Sequence, residues 1–276
     1  MTLAEVLKQG EERLLHAGIE EAALNSWYLF SHCFQIDKGQ FFLHSEDIAD
    51  EKIVCCYERL LGEREKRIPL EYITNETEFM GLPFYVNENV LIPRQDTECL
   101  VEEVMKASQG KDILDLCTGS GCIGISLAVL GKCKSVTLAD ISVEALAAAK
   151  KNAVLNQVDI AIIQSDLFAE VSGCFDIIVS NPPYIPTEEI AGLMPEVRDY
   201  EPRLALDGSS DGLLFYRSII AESGYFLKRE GMLYFEIGCN QGEAVSRLMR
   251  EAGFSDVIIK KDLAGLDRIV QGRRKL

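Results

Sequence analysis

The chain has 276 residues, enough for one large domain or for a medium domain joined to a small one. Hydrophobic residues make up 47%, which supplies a packed core and excludes global disorder. With 28 Lys and Arg against 44 Asp and Glu, the formal net charge is -16, and that balance disfavours tight non-specific binding to a phosphate backbone.

No apolar run is long enough to span a bilayer, and the opening Met1-Thr2-Leu3-Ala4-Glu5 lacks the basic start of a signal peptide. The 9 Cys are odd in number and form no CxxC pair, so reduced thiols in a cytoplasmic protein are expected. All 3 His (His16, His32 and His44) lie early in the chain. The later part therefore holds no histidine for a triad or for most zinc sites, and no metal is expected.

Taken in order, residues 2–67 read as helical. Leu3, Val6, Leu7, Leu14 and Leu15 recur at helical spacing. Trp27 to Phe34 supply a second apolar face, and Ile53, Val54, Tyr57, Leu60 and Leu61 a third. A small helical domain over 1–68 follows, with its aromatic cluster in the core. From Pro69 the pattern changes to short β-like pieces at Tyr72-Ile73, Glu78-Phe79-Met80, Phe84-Tyr85-Val86 and Val90-Leu91-Ile92. These predict a hairpin-like linker over 69–92. Next, Thr97 or Asp96 is placed to cap a helix through Val101 and Val104, with Arg94 read as a solvated charge.

An apolar strand, Asp112 to Leu116, then enters a loop with glycines at 119, 121 and 124, and a helix follows. Glycines there let the backbone turn sharply and approach a ligand closely, and the helix start offers free N–H groups. The next strand ends at Asp140, placed to accept hydrogen bonds from both hydroxyls of a ribose. NAD and S-adenosylmethionine both suit this pattern. Asp115 bears on the choice, because a carboxylate would repel a pyrophosphate yet could orient a cationic amino-acid group. After a helix over 143–156 and a strand at Ile160 to Ile163 comes Asp166, at a strand end where an adenine amino group could donate. Leu167 and Phe168 beside it suit adenine packing or the core.

The apolar run Phe175 to Ser180 must stop at Asn181-Pro182-Pro183-Tyr184, since two prolines cannot continue a ladder. Asn181 thus projects past the carboxyl end of a strand, the edge where open α/β sheets bind ligands. A long mixed stretch to about Leu206 suggests a functional loop. A helix over 212–227, a strand over 231–238, a helix over 242–252 and two strands joined at Gly265 complete the chain. The expected class is α/β, a mostly parallel Rossmann-like sheet with an antiparallel C-terminal hairpin.

Asn87 to Glu98 with its Leu-Ile-Pro-Arg run, Asp115 to Gly121, Asp140, Asn181 to Tyr184, and Glu201 to Gly208 together carry a resemblance over nearly the whole chain. The sequence resembles the class I S-adenosylmethionine-dependent methyltransferases that modify glutamine side chains on the amide nitrogen, closest to the peptide chain release factor type. The resemblance implies S-adenosyl-L-methionine as cofactor and release factors of translation termination as partners. Neither nucleic acid nor membrane is implied as a partner. It places the transferase domain at 93–276 and the substrate-docking region at 1–68. The family's cofactor loop falls on Cys117, Thr118, Gly119, Ser120 and Gly121, its ribose acid on Asp140, and its adenine side on Asp166 and Leu167. Its substrate-amide site falls on Asn181, Pro182, Pro183 and Tyr184. Asn181, Pro182 and Tyr184 are the implied catalytic positions, and Asn181 is also implied to touch the cofactor. Cys117 stands where many relatives have glycine, and Leu167 where some have an aromatic ring. The rivals are a ribosomal-protein glutamine methyltransferase, a nucleic-acid N6-adenine methyltransferase, and a non-catalytic nucleotide-binding module.

Overall fold

Thr2 and Glu5 open the first helix by satisfying each other's backbone donors, Glu5 N donating to Thr2 Oγ1 and Thr2 N to Glu5 Oε2. The structure is a computed structural model that describes residues 1–275. It divides into two units, Met1–Asn75 with Met194–Tyr200, and Glu76–Leu193 with the chain from Glu201 onward.

The first unit comprises α1 (Leu3–His16), α2 (Ala22–Phe34), α3 (Lys38–His44), α4 (Glu51–Arg64), α5 (Leu70–Thr74) and the later α9 (Pro195–Tyr200). Its core is aromatic at the centre. Phe30 is fully buried, stacks on Phe34 at 4.4 Å and meets Phe41 and Tyr57 edge-on. Burial of a side chain this large stabilises the unit by about 1.5–3 kcal/mol. The Tyr57 hydroxyl lies 2.7 Å from Ser26 Oγ and lies against Gly10, where a Cβ would sit 1.9 Å from it. Buried Arg64 donates to Asn25 Oδ1 and to Glu196 Oε1, which ties α9 into this unit. Tyr72 and Ile73 lie on α5, not on the β-like piece expected of them. Pro69 precedes this helix as its N-cap, a position that needs no backbone N–H donor.

The second unit opens with an antiparallel hairpin, β1 (Glu76–Phe79) and β2 (Leu82–Tyr85). Then come α6 (Gln95–Met105), β3 (Asp112–Leu116), α7 (Cys122–Leu130), β4 (Ser135–Asp140), α8 (Val143–Leu155), β5 (Ala161–Gln164) and β6 (Phe175–Ser180). After the excursion through α9 follow α10 (Arg203–Leu206), α11 (Leu214–Phe226), β7 (Leu227–Glu236), α12 (Gly242–Glu251), β8 (Phe254–Lys261) and β9 (Asp267–Arg274). Residues 90–92, expected as a β-like piece, form no strand. The N-cap of α6 is Arg94, without a side-chain cap, so Asp96 and Thr97 sit inside the first turn instead of capping it.

The main sheet has seven strands in the order β5-β4-β3-β6-β7-β9-β8. Strands β3 to β7 run parallel, and β9 pairs antiparallel with both β7 and β8. The strands alternate between two buried faces, as a two-residue period requires. Ile113, Ile177, Val179 and Tyr234 pack toward α6, α7 and α8. Leu114, Leu116, Ile178, Leu233 and Phe235 pack toward α11 and α12. From β3 the chain winds outward through β4 and β5, then returns to lay β6 on the other side of β3. That reversal leaves a crevice at the carboxyl ends of β3 and β6.

Candidate active site

A cavity of about 360 Å³ opens at these carboxyl ends, within the range of small-ligand sites. Its wall next to β3 is the loop Cys117 to Gly121. Cys117 and Gly119 both take left-handed backbone angles, φ +58° and +55°. The conformation costs glycine little and a side-chain-bearing residue about 1–2 kcal/mol, so Cys117 is strained where glycine would not be. A Cβ on Gly119 would meet no protein atom within 4 Å, so open space faces the loop. Burial pushes the Cys117 thiol up, away from the reactive thiolate.

Two carboxylates hold this loop from opposite sides. Asp140, at the end of β4, accepts from Gly119 N at 2.8 Å and from Ser142 N at 2.9 Å, and it lines the cavity. Burial raises its pKa, against the pull of those backbone donors. Asp115 is fully buried behind the loop and is not among the lining residues. Its Oδ2 accepts from Thr118 Oγ1 at 2.6 Å and from Gly124 N at 2.9 Å, while Oδ1 has no partner. Burial pushes it up to about 7. Asp115 therefore braces the loop from below and does not line the cavity, so it offers no direct contact to the cationic amino-acid group it was read as able to orient. Gly124 allows this close approach, because a Cβ there would lie 3.0 Å from Asp115 Oδ2, and 2.2 Å from Leu138 Cδ2 as well.

Asp166 is exposed and Leu167 half-buried, and both line the cavity. Ser165 Oγ donates to the Leu167 carbonyl at 2.8 Å and fixes its φ of +48°. Phe168 turns inward and stacks on Phe226 at 4.6 Å.

Asn181 and Pro183 line the same cavity as Thr118, Gly119, Ser120 and Asp140. Pro182 is buried, and neither it nor Tyr184 is among the lining residues. The Tyr184 ring packs against the α11–α12 face of the core, and its carbonyl accepts from Gln241 Nε2 at 2.9 Å. Burial pushes its phenol up to about 12.

Three groups escaped the sequence reading. Arg94 lines the cavity and is ion-paired to buried Glu201, not merely solvated. Pro202, Leu204 and Ala205 contribute an apolar wall. Glu236, at the end of β7, is buried near Asn181 and Thr97. Its signal was available, since a carboxylate at or next to the end of an apolar strand is the same feature that marked Asp115 and Asp140.

The lining suits an adenosine-containing group: a carboxylate toward a ribose, an exposed acid toward an adenine amino group, and a glycine facing open space. A parallel sheet closed by an antiparallel pair, with this cavity at its switch point, defines a class I methyltransferase that uses S-adenosylmethionine. The comparisons agree. The model of the methyltransferase small domain matches residues 94–194, and that of the PrmC N-terminal domain matches residues 5–74. The release factor glutamine methyltransferase of Geobacter sulfurreducens is 40% identical over 99% of this chain and 96% of its own. That of Fusobacterium nucleatum is 39% identical over 99% of this chain and 79% of its own. Among solved structures, the ribosomal protein L11 methylase of Lactobacillus delbrueckii subsp. bulgaricus superposes with TM-score 0.50 at 26% identity, covering 66% of this chain and 81% of that one. A Pyrococcus furiosus methyltransferase shares the fold at TM-score 0.55 and 17% identity, over 72% of this chain and 91% of that one. The chain belongs to the release factor glutamine methyltransferase family.

Proposed function

We propose that this chain methylates the side-chain amide nitrogen of the glutamine in the Gly-Gly-Gln motif of peptide chain release factors. The observation that carries the assignment is the position of Asn181, on the wall of the cavity that Gly119 and Asp140 also line. Similarity to release factor enzymes along the full chain supports this substrate over a ribosomal protein.

An amide nitrogen is a poor nucleophile, because its lone pair is delocalised into the carbonyl. Its two N–H groups are donors. Asn181 Oδ1 and the Pro182 carbonyl are the two acceptors assigned to them. Held this way, the nitrogen is fixed in place, and positive charge developing on it is stabilised. When bound, S-adenosylmethionine supplies an electrophilic methyl group on a sulfonium. With it bound, the methyl group would pass from sulfur to the nitrogen held by Asn181 and Pro182, and the displaced N–H proton would leave to water. Asp140 is assigned to the ribose and Asp166 with Leu167 to the adenine. Tyr184 supports the Asn181 turn from the core side.

Residues 1–68 are assigned to release factor docking, 69–92 to a linker and 93–276 to methyl transfer. No helix among the described residues is long and apolar enough to cross a membrane. The net charge of -16 argues against a nucleic-acid substrate. Cytoplasm, where translation terminates, is the compartment assigned.

The test incubates the protein with radiolabelled S-adenosylmethionine and, separately, a release factor, the same factor with its Gly-Gly-Gln glutamine changed to glutamate, a ribosomal protein, DNA and RNA. Label on the unmodified release factor alone is expected. Label that survives the glutamine change, or that goes to another substrate, overturns the assignment.

A further inference from the structure

Asn181 can act as an acceptor only if its amide is turned the right way. An amide that flips would present its NH₂ to a substrate NH₂, donor to donor. Something must therefore hold it, and three elements converge there.

Strands β6 and β7 pair in parallel with Ser180 opposite Phe235, so Asn181 and Glu236 are neighbours just beyond that register. By strand alternation both turn toward the α6 face, where the first turn of α6 carries Thr97. Thr97 and Glu236 are each 2% exposed. Asn181 Nδ2 donates to Thr97 Oγ1 across a long 3.5 Å. Thr97 and Asn181 are also the two polar side chains that act on the Glu236 carboxyl to favour its ionised form, and its Oε2 has no partner. Arg268, the cation whose charge acts on Glu236, is paired with Asp262 and Asp96 instead.

Donor and acceptor counts decide the polarity. An ionised carboxylate only accepts. The single Thr97 proton then goes to Glu236, and the Thr97 lone pairs are left to accept from Asn181. The Asn181 NH₂ is thereby drawn inward, and Oδ1 is left for the cavity.

We infer that Glu236 is a positioning residue, which through Thr97 holds the Asn181 amide with its oxygen toward the substrate nitrogen. The inference rests on Asn181 being the acceptor for the substrate amide. Protonated Glu236 would donate instead of accept, the Thr97 hydroxyl could reverse, and Asn181 would lose its imposed direction. Burial pushes Glu236 up to about 7. Around it stand Asp96 on α6, Arg268 on β9, Cys122 on α7, Tyr216 on α11 and Tyr184. Of these, Asp96 favours the protonated form and Arg268 the ionised one. Activity should therefore fall as pH drops through about 7.

The experiment measures kcat, KM for release factor and cofactor affinity for the wild type, E236Q, T97V, T97S and the E236Q/T97V double variant between pH 6 and 8.5. At pH 8, E236Q and T97V should each lose about tenfold in kcat, the effect of one hydrogen bond of ordinary strength. Cofactor affinity and KM should stay within about twofold. T97S keeps the hydroxyl and should keep most activity. The double variant should lose no more than either single one, since both break the same relay. The acid limb of the profile should vanish in E236Q and in T97V. Should E236Q fail to fold, T97V and T97S carry the test. Wild-type kcat with an intact acid limb in E236Q, or losses that multiply in the double variant, overturn the inference. A wild type that does not label release factor, or an N181A variant as active as wild type, overturns the underlying assignment as well.

Discussion

Replacing Asp115 with Asn should make the protein more stable at alkaline pH and less stable in acid, where protonated Asp115 carries no charge penalty and the unpartnered Asn NH₂ still costs about 1–3 kcal/mol. Asp115 is fully buried, and burial takes its carboxyl from an ordinary 3.8 to about 7 despite bonds from Thr118 and Gly124. A carboxyl whose pKa is raised on folding contributes stability that is fully present below its unfolded pKa. That contribution is lost as pH rises through the folded pKa. The gap between 3.8 and 7 is worth at most about 4 kcal/mol. Asn keeps one acceptor for Thr118 and Gly124, but places an NH₂ where Oδ1 has no partner, which costs about 1–3 kcal/mol. The net gain at pH 8 is then on the order of 1–3 kcal/mol, or several degrees in Tm for a domain of this size. Urea unfolding of both proteins from pH 4.5 to 8.5 measures it. The stability difference should move in favour of the Asp115→Asn variant as pH rises to about 7, then level off. A difference that is flat across this range would show that Asp115 stays ionised throughout, and would refute burial as the dominant influence on it.

Other substitutions separate cofactor binding, docking and chemistry. Asp140→Ala should weaken S-adenosylmethionine binding by calorimetry, on the order of 1.5–3 kcal/mol for each charge-assisted bond lost; unchanged affinity would remove Asp140 from the ribose. Phe42 and Leu43 on α3 are 78% and 82% exposed, so Phe42→Ser with Leu43→Ser should raise KM for intact release factor several-fold and leave cofactor affinity alone. An unaltered KM would exclude this face from docking. Asn181→Ala should fold, bind cofactor and lose roughly 10²–10³ in kcat, by analogy with removing one preorganised partner from an oxyanion hole. Near-normal turnover on release factor would sink the acceptor mechanism.

Much of the site was legible because it is written in residues with covalently limited backbones. Proline ends β6 at Asn181 whatever surrounds it, and Gly119 marks a left-handed turn by itself. The alternation of strands and helices likewise carried the sheet class. What could not be read is adjacency across the sheet. Thr97 and Asn181 lie 84 positions apart, and only the packing of α6 on β7, the strand beside β6, brings them together. Arg94 read as a solvated charge because its partner, Glu201, is 107 positions away. Local signals also misled at Thr97, a good capping residue that tertiary packing drew into the first turn and buried.

Asp140 and Glu236 end β4 and β7, Asp115 lies one residue short of the end of β3, and their surroundings separate their tasks. Asp140 alone of the three faces the cavity, with both oxygens already anchoring backbone N–H groups that set its direction. Asp115 and Glu236 are both buried, each with one unpartnered oxygen and each pushed up to about 7. At neutral pH and above, leaving a carboxyl in that condition destabilises the fold more than a neutral residue of similar shape would. Each holds a neighbour that lines the cavity: Asp115 grips Thr118 of the loop, and Glu236 meets Thr97 and Asn181. The two threonines give each carboxyl a hydroxyl to orient, and a hydroxyl passes on direction where an apolar side chain would pass on only volume. Two buried acids behind the wall thus give up stability for a wall whose donors and acceptors are set before any ligand arrives, and that is the condition under which electrostatic catalysis is strongest.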